Sequence, residues 1–319
     1  MEDKRINNIK EYRSFCKENN LPIFFNDWWL DAVSKDKWNV CIYKKNNDII
    51  GCMPYIESKK IIFSLIKMPP LTSGLGPIII YPTDAKYASK LGIDKKVCEY
   101  FISELPKFDN LTLRFFNTFT NWLPFYWKGF KQTTRYTYIL KDIANPELIF
   151  NNFRDKTRNE IRKAEKKLTI EITDDINAFY KLNIAIFKRQ NIPIPYSFEL
   201  VKRIDDACKK RNCRSIYFAK DTEGNIHASA YIIWDSSCAY YLMSGANTEF
   251  RNSGGVSLVL WNAIKDSSKK VKSFDFEGSM IEPIERFVRA FNAEQVTYHK
   301  ITKTNSVILK LFKFFTNRE

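Results

Sequence analysis

Apolar residues recur along this chain in two rhythms. A spacing of three to four predicts helices over 6–19 and 26–33, with Asn26 as the N-cap of the second. Strand-like runs over 38–43 and 49–56 flank Asn46-Asn47-Asp48, which reads as a hairpin turn. The Pro- and Gly-punctuated segment 69–77 predicts a loop. A helix over 85–105, a strand over 111–116, a short aromatic helix over 121–130 and a strand over 133–140 complete the first half.

After Asn145-Pro146 the pattern predicts one long helix over 146–167, a strand over 168–173 and helices over 176–190 and 197–211. Three meander strands follow over 214–220, 226–235 and 238–245. A helix over 254–270, a strand over 273–277, a helix over 281–291 and a strand over 295–301 precede a basic aromatic tail. The two halves close alike. Leu113-Arg-Phe-Phe116 aligns with Phe274-Asp-Phe-Glu277, Phe130 with Phe291, and Tyr136-Thr137 with Thr297-Tyr298. Strands mixed with helices, mostly in meander order, predict an α+β fold in two domains, 1–145 and 146–319.

Composition narrows the classes. The 319 residues are 45% hydrophobic and 15% aromatic, with only 10 Gly and 12 Pro, which excludes collagen-like and broadly disordered chains. No apolar run approaches the roughly 20 residues of a spanning helix. Met1-Glu-Asp-Lys-Arg-Ile6 lacks the apolar stretch of a signal peptide. Seven scattered cysteines without a C-x-x-C pair predict reduced thiols and a cytoplasmic protein. Two histidines exclude a His-rich metal site, and no metal is expected. A net charge of +15 attracts phosphates, whether in nucleic acid, a nucleotide-linked donor or anionic lipid; the Lys-rich composition accounts for it equally well.

Three stretches could carry chemistry. The first runs from Tyr240 to Trp261, a strand and a loop with Arg251, then a helix opened by Gly254-Gly255. Backbone N–H groups at such a helix start can face an anion, although a bare flexible cap has the same pattern. In the second, Asp275 and Glu277 alternate with Phe274 and Phe276, so a strand would put both acids on one face. An acid there can take a proton from an amine, or it can pair with Arg286 or Arg289. In the third, Arg154, Arg158 and Arg162 fall at i, i+4 spacing on the predicted long helix, for a polyanion contact or a solvated face. His227, His299, the Trp28-Trp29 pair and the helix Trp122–Phe130 read as structural.

Lys156-x-Arg158-Asn-x-Ile-Arg-Lys-Ala164, Tyr240-Tyr-Leu242, Gly254-Gly-x-x-Leu-x-Leu-Trp-x-Ala-Ile264, Phe274-Asp-Phe-Glu-Gly-Ser279, Arg286-Phe287 and Phe291-Asn-Ala-Glu294 together resemble the FemAB-like branch of the GNAT acyltransferases. Trp28-Trp-Leu-Asp-Ala32, Met53-Pro-Tyr55 and Gly74-Leu-Gly-Pro77 extend the likeness weakly into the first half. The resemblance implies two tandem GNAT-like domains and transfer of an acyl or aminoacyl group to an amine. The acceptor would be a small molecule, glycan or peptide in envelope or polysaccharide synthesis. The donor, acyl-CoA or aminoacyl-tRNA, is a co-substrate, and no tightly bound cofactor is expected. Donor contacts would come from Leu242, Met243, Ser244, Arg251, Gly254, Gly255, Val256 and Ser257, with Val256 standing where the coenzyme A loop of the family has a small residue. Substrate or tRNA contacts would come from Arg154, Arg158, Arg162, Tyr241 and Arg286. Glu277, beside Asp275, would be the base, while backbone N–H groups of 242–245 polarise the carbonyl. tRNA and a membrane surface stand as further partners. A non-catalytic binder of nucleic acid or anionic lipid on the same fold is the alternative, and no coiled-coil arm is expected.

Overall fold

The structure, a computed structural model, describes residues 2–316. In chain order its elements are α1 (Glu2–Glu18), α2 (Asp27–Ser34), β1 (Trp38–Lys45), β2 (Asp48–Lys60), β3 (Phe63–Lys67), β4 (Ile78–Ile79), α3 (Tyr87–Glu104), β5 (Asn110–Arg114), α4 (Leu123–Trp127) and β6 (Lys131–Leu140). There follow α5 (Pro146–Asn152), α6 (Asp155–Glu165), β7 (Thr169–Thr173), α7 (Ile176–Arg189), α8 (Phe198–Lys209), β8 (Arg214–Lys220), β9 (Ile226–Trp234) and β10 (Cys238–Ala246). The chain closes with α9 (Gly255–Ser267), β11 (Ser273–Asp275), α10 (Glu282–Arg289), β12 (Glu294–Thr304) and α11 (Val307–Thr316).

Contacts divide the described chain into two units, one of residues 2–135 with 297–316 and one of residues 136–296. This differs from the expected division at 145/146, and strand pairing is the reason. In the first unit β12 returns to pair antiparallel with β5, Ile301 opposite Leu113, while β3 pairs β5 in parallel on its other side. In the second, β6 pairs antiparallel with β11 and β10 pairs it in parallel. Each half's closing strand therefore serves the other unit's sheet. β5 and β11, the strands matched by sequence, hold equivalent places between one parallel and one antiparallel neighbour.

Each unit has its own core. Phe101, Leu111, Leu113, Phe115 and Phe125 fill the first, and Phe153, Ile232, Leu260, Phe274 and Phe291 the second. The β1–β2 hairpin turns through Asn46 (φ 51°) and Asn47 (φ 69°), two left-handed residues whose type I′ twist matches the flanking strands. All seven cysteines are free and buried.

Four expectations change. The helix over 146–167 is two helices, because Phe153 leaves the helical path to pack against Trp261 and Phe291 at ring distances of 5.6 and 5.0 Å. The strand over 273–277 ends at Asp275. β3, on the apolar run after residue 60, was not anticipated. The tail forms a helix, α11.

Candidate active site

The site is built where the sheet of the second unit parts. β10 pairs β9 along most of its length but β11 only over Cys238–Tyr240. From Tyr241 onward, among the described residues, β10 has no strand neighbour on that side. The chain leaving β11 follows β6 instead, with the Phe276 N–H donating to the Tyr138 carbonyl at 2.9 Å. Where β10 comes free its register slips between Tyr241 and Met243, leaving Leu242 as a bulge. A bulge leaves its extra residue outside the ladder pairing, and this one lies where β10 parts from β11.

The far end of β10 is fixed by α7. Asn183, buried on the Ile176–Phe179–Asn183 stripe of that helix, donates to the Ser244 carbonyl at 2.7 Å and accepts from the Tyr196 hydroxyl at 3.1 Å. Burial pushes that tyrosine up to about 12, against the Asn183 bond. Gly245 is required here, since a Cβ would lie 2.9 Å from Leu182 Cβ and closer still to the Ser229 hydroxyl. The Met243 side chain is buried, so only its backbone can meet a donor. The Tyr241 hydroxyl is also pushed up to about 12 by burial, with Ser244 opposing, and stays protonated at neutral pH.

Opposite β10, Asp275 and Glu277 do not share a strand face. Asp275 is buried, and its Oδ1 accepts from the Thr137 hydroxyl and, at 2.7 Å, from the Glu277 N–H. Burial raises its pKa from 3.8 to about 6 despite those two donors. Neither Arg286 nor Arg289 is its partner; Arg289 pairs with Glu285 at 2.9 Å. Glu277 lies beyond the strand in a left-handed conformation (φ 62°), followed by Gly278 (φ 53°). The turn presses on β6 so closely that a Cβ at 278 would sit 2.3 Å from the Tyr136 carbonyl. Arg286 is exposed on α10.

The glycine-opened helix is as expected in outline. α9 starts after Gly254 (φ 76°), and helix geometry leaves the Val256 and Ser257 N–H groups without intrahelical acceptors. Its surroundings are unexpected. A Cβ on Gly254 would meet Glu160 Cγ at 3.0 Å and Ala164 Cβ at 3.1 Å, so this glycine admits helix α6 rather than a ligand. The Ser257 hydroxyl donates to Glu160 at 3.1 Å, which sets a carboxylate at the N-terminal end of α9. The approach loop is held by Phe250, stacked on His227 with ring centroids 4.0 Å apart and planes 4° from parallel. Arg251 is exposed beside it.

The three arginines do not form one stripe. Arg154 precedes α6 in extended conformation (ψ 142°). Arg158 donates to the Asn151 carbonyl and, at 3.1 Å, to the Phe153 carbonyl, and pairs with Asp155. Arg162 lies over the Phe150 ring at 5.4 Å. Asn183, Glu160 and Thr137 are the site residues that sequence reasoning missed. Asn183 alone carried a signal, as a polar residue on an otherwise apolar helical stripe.

Residues 151–280 match the family described as acetyltransferase (GNAT) domain. Among solved structures, FemX is similar at 14% identity and a TM-score of 0.67, over 91% of this chain and 95% of FemX. L-PGS from Bacillus licheniformis is similar at 10% identity and 0.53, over 97% and 96%. A tandem GNAT protein from the clavulanic acid biosynthesis pathway is similar at 7% and 0.53, over 95% and 96%. No curated protein matches. The similar structures share the fold, and the parted strands, the bulge and the glycine-opened helix lie within or beside the matched segment.

Proposed function

We propose that this chain, an acyltransferase with the FemAB-like tandem GNAT fold and a GNAT domain at 151–280, joins an aminoacyl group to an amine in cell-envelope construction. The observation that carries the reading is the parting of β10 from β11 at the Leu242 bulge, with the Glu277 turn on the opposite lip. A donor carbonyl entering the gap meets the bulge amide, which stabilises the negative charge that develops on its oxygen. The acceptor nitrogen attacks, the new C–N bond forms, and the C–O bond of the donor ester breaks. Glu277 takes the proton from nitrogen and returns it to the departing alkoxide.

The donor loop favours an ester of tRNA over coenzyme A. Val256 stands where the coenzyme A loop of the resembled family has a small residue, and the Glu160 carboxylate at the end of α9 repels a phosphate there. A net charge of +15 suits a polyanionic carrier. Native mass spectrometry with aminoacyl-tRNA and with acetyl-CoA tests this. Binding of the charged tRNA that weakens with salt, and no binding of acetyl-CoA, is the expected result. Saturable binding of acetyl-CoA alone overturns the donor assignment, and binding of tRNA without any transfer to amines overturns the enzymatic one.

A further inference from the structure

Helix α11 is built inside out. An ordinary surface helix turns its apolar stripe inward and its charges to solvent. Here Val307, Ile308, Leu311, Phe312, Phe314 and Phe315 are each more than half exposed, and no residue of the helix is buried. The side chain turned toward the protein is a lysine. Lys313 donates to Asn110 Oδ1 at 3.0 Å and to the Thr304 hydroxyl at 3.3 Å.

The orientation is held rather than incidental. Ser306 caps the helix, accepting from the Leu309 N–H at 3.3 Å. The Asn305 and Ser306 N–H groups donate to the Asp109 carbonyl at 2.8 and 3.3 Å. With the cap at one end and Lys313 toward the other, the apolar face cannot roll inward without breaking these bonds. Lys300 and Lys131 lie close enough to help burial push the Lys313 ammonium down. Of the helix's two lysines, Lys313 therefore lies on the side away from the apolar face, and Lys310 is exposed.

We infer that α11 docks this protein onto an anionic lipid surface, with its six apolar side chains in the headgroup–acyl boundary, the exposed Lys310 reaching the lipid phosphates, and the +15 charge of the chain drawing it to that surface. Aliphatic and aromatic side chains mixed in this way suit hydrocarbon, whereas a nucleic-acid surface needs its cations on the exposed face. A second copy of this +15 chain would have to approach against like net charge. At ten residues the helix is about 15 Å long. It lies in the interface and does not cross, and no helix among the described residues is long and apolar enough to span a membrane.

Flotation of the full chain with vesicles tests the inference, using about 30% phosphatidylglycerol in phosphatidylcholine and phosphatidylcholine alone. The expected result is recovery with the anionic vesicles, weaker recovery with neutral ones, and a loss of at least about tenfold in the double variant Phe314→Ser, Phe315→Ser. Both side chains are exposed, so thermal unfolding of that variant should match wild type. Failure of the wild type to float, or equal flotation of the double variant, overturns the inference. So does a wild-type dimer in sedimentation equilibrium that the same variant converts to monomer, because a second copy then covers the face.

Discussion

The Oδ1 oxygen of Asp275 accepts the backbone N–H of Glu277 at 2.7 Å, so one acid is the anchor of the other. A left-handed φ of 62° is unfavourable for glutamate by about 1–2 kcal/mol. The buried Asp275 bond and the close pass of Gly278 beneath β6 hold the residue there. A strained backbone held at one carboxylate beside a gap is the kind of outlier that motivates the proposed role of Glu277.

Glu277→Gln should lower turnover by about 10²–10⁴-fold with donor affinity near wild type. Glu277→Gly should lose turnover likewise while stability is unchanged or slightly higher, because glycine takes positive φ without strain. Single-turnover transfer alongside thermal unfolding separates the two effects. Full turnover in the Gln variant removes Glu277 as the base.

Asp275→Asn should make stability less dependent on pH. A buried acid titrating at about 6 rather than 3.8 holds more protons folded than unfolded between those values. Its favourable contribution is complete below about pH 4, falls as pH rises to about 6 and is flat above, a change of about 3 kcal/mol. Asparagine does not titrate, and its Oδ1 can accept both existing bonds. The wild-type minus variant difference in Tm should therefore shrink from pH 4 to 7; a constant difference across that range contradicts the buried-acid assignment.

Gly278→Ala should destabilise the protein by at least about 3 kcal/mol, read from urea unfolding. The added Cβ would lie 2.3 Å from the Tyr136 carbonyl and 2.4 Å from Thr137 Cα, both backbone atoms that cannot swing aside. A change below about 1 kcal/mol would mean that the turn does not press on β6.

Arg158→Ala should cost about 1–2 kcal/mol of stability, because the Asn151 and Phe153 carbonyls at the end of α5 lose their donor. The slope of log K against log[salt] for tRNA should stay unchanged. A slope lower by about one unit would instead make Arg158 a phosphate contact.

Much of the sheet was readable because its strands alternate or run apolar between turn residues. The pattern predicts β8 over 214–220 and it is Arg214–Lys220, and the hairpin turn expected at Asn46-Asn47-Asp48 is there, with Asn46 and Asn47 left-handed. The site was readable only in part. Phe274 and Phe276 alternate into the core as expected, but nothing local announces a left-handed glutamate, since Asn, Asp and Gly are the residues that favour that region. The break at Phe153-Arg154 carries no proline or glycine; it follows from ring contacts with Trp261 and Phe291, more than a hundred positions away. Glu160 reached the end of α9 by the same kind of long-range packing. The tail's apolar residues are so dense, Val307-Ile-Leu-Lys-Leu-Phe-Lys-Phe-Phe315, that they show no clear polar face, and the helix is visible only in the structure.

The return of β12 to β5 sets an order of events during synthesis. When Arg135 leaves the ribosome, the first unit still lacks the strand that covers β5, and that strand ends at Thr304. At about 5–20 residues per second, β5 waits roughly ten to thirty seconds with an uncovered edge. The second unit has every strand of its sheet by Asp275 and all of its residues by Val296, so it can close before β12 is complete, although it is translated later. A ribosome that stalls between Val296 and Thr304 leaves a completed second unit attached to a first unit whose β5 edge is uncovered, a form exposed to chaperones and to aggregation.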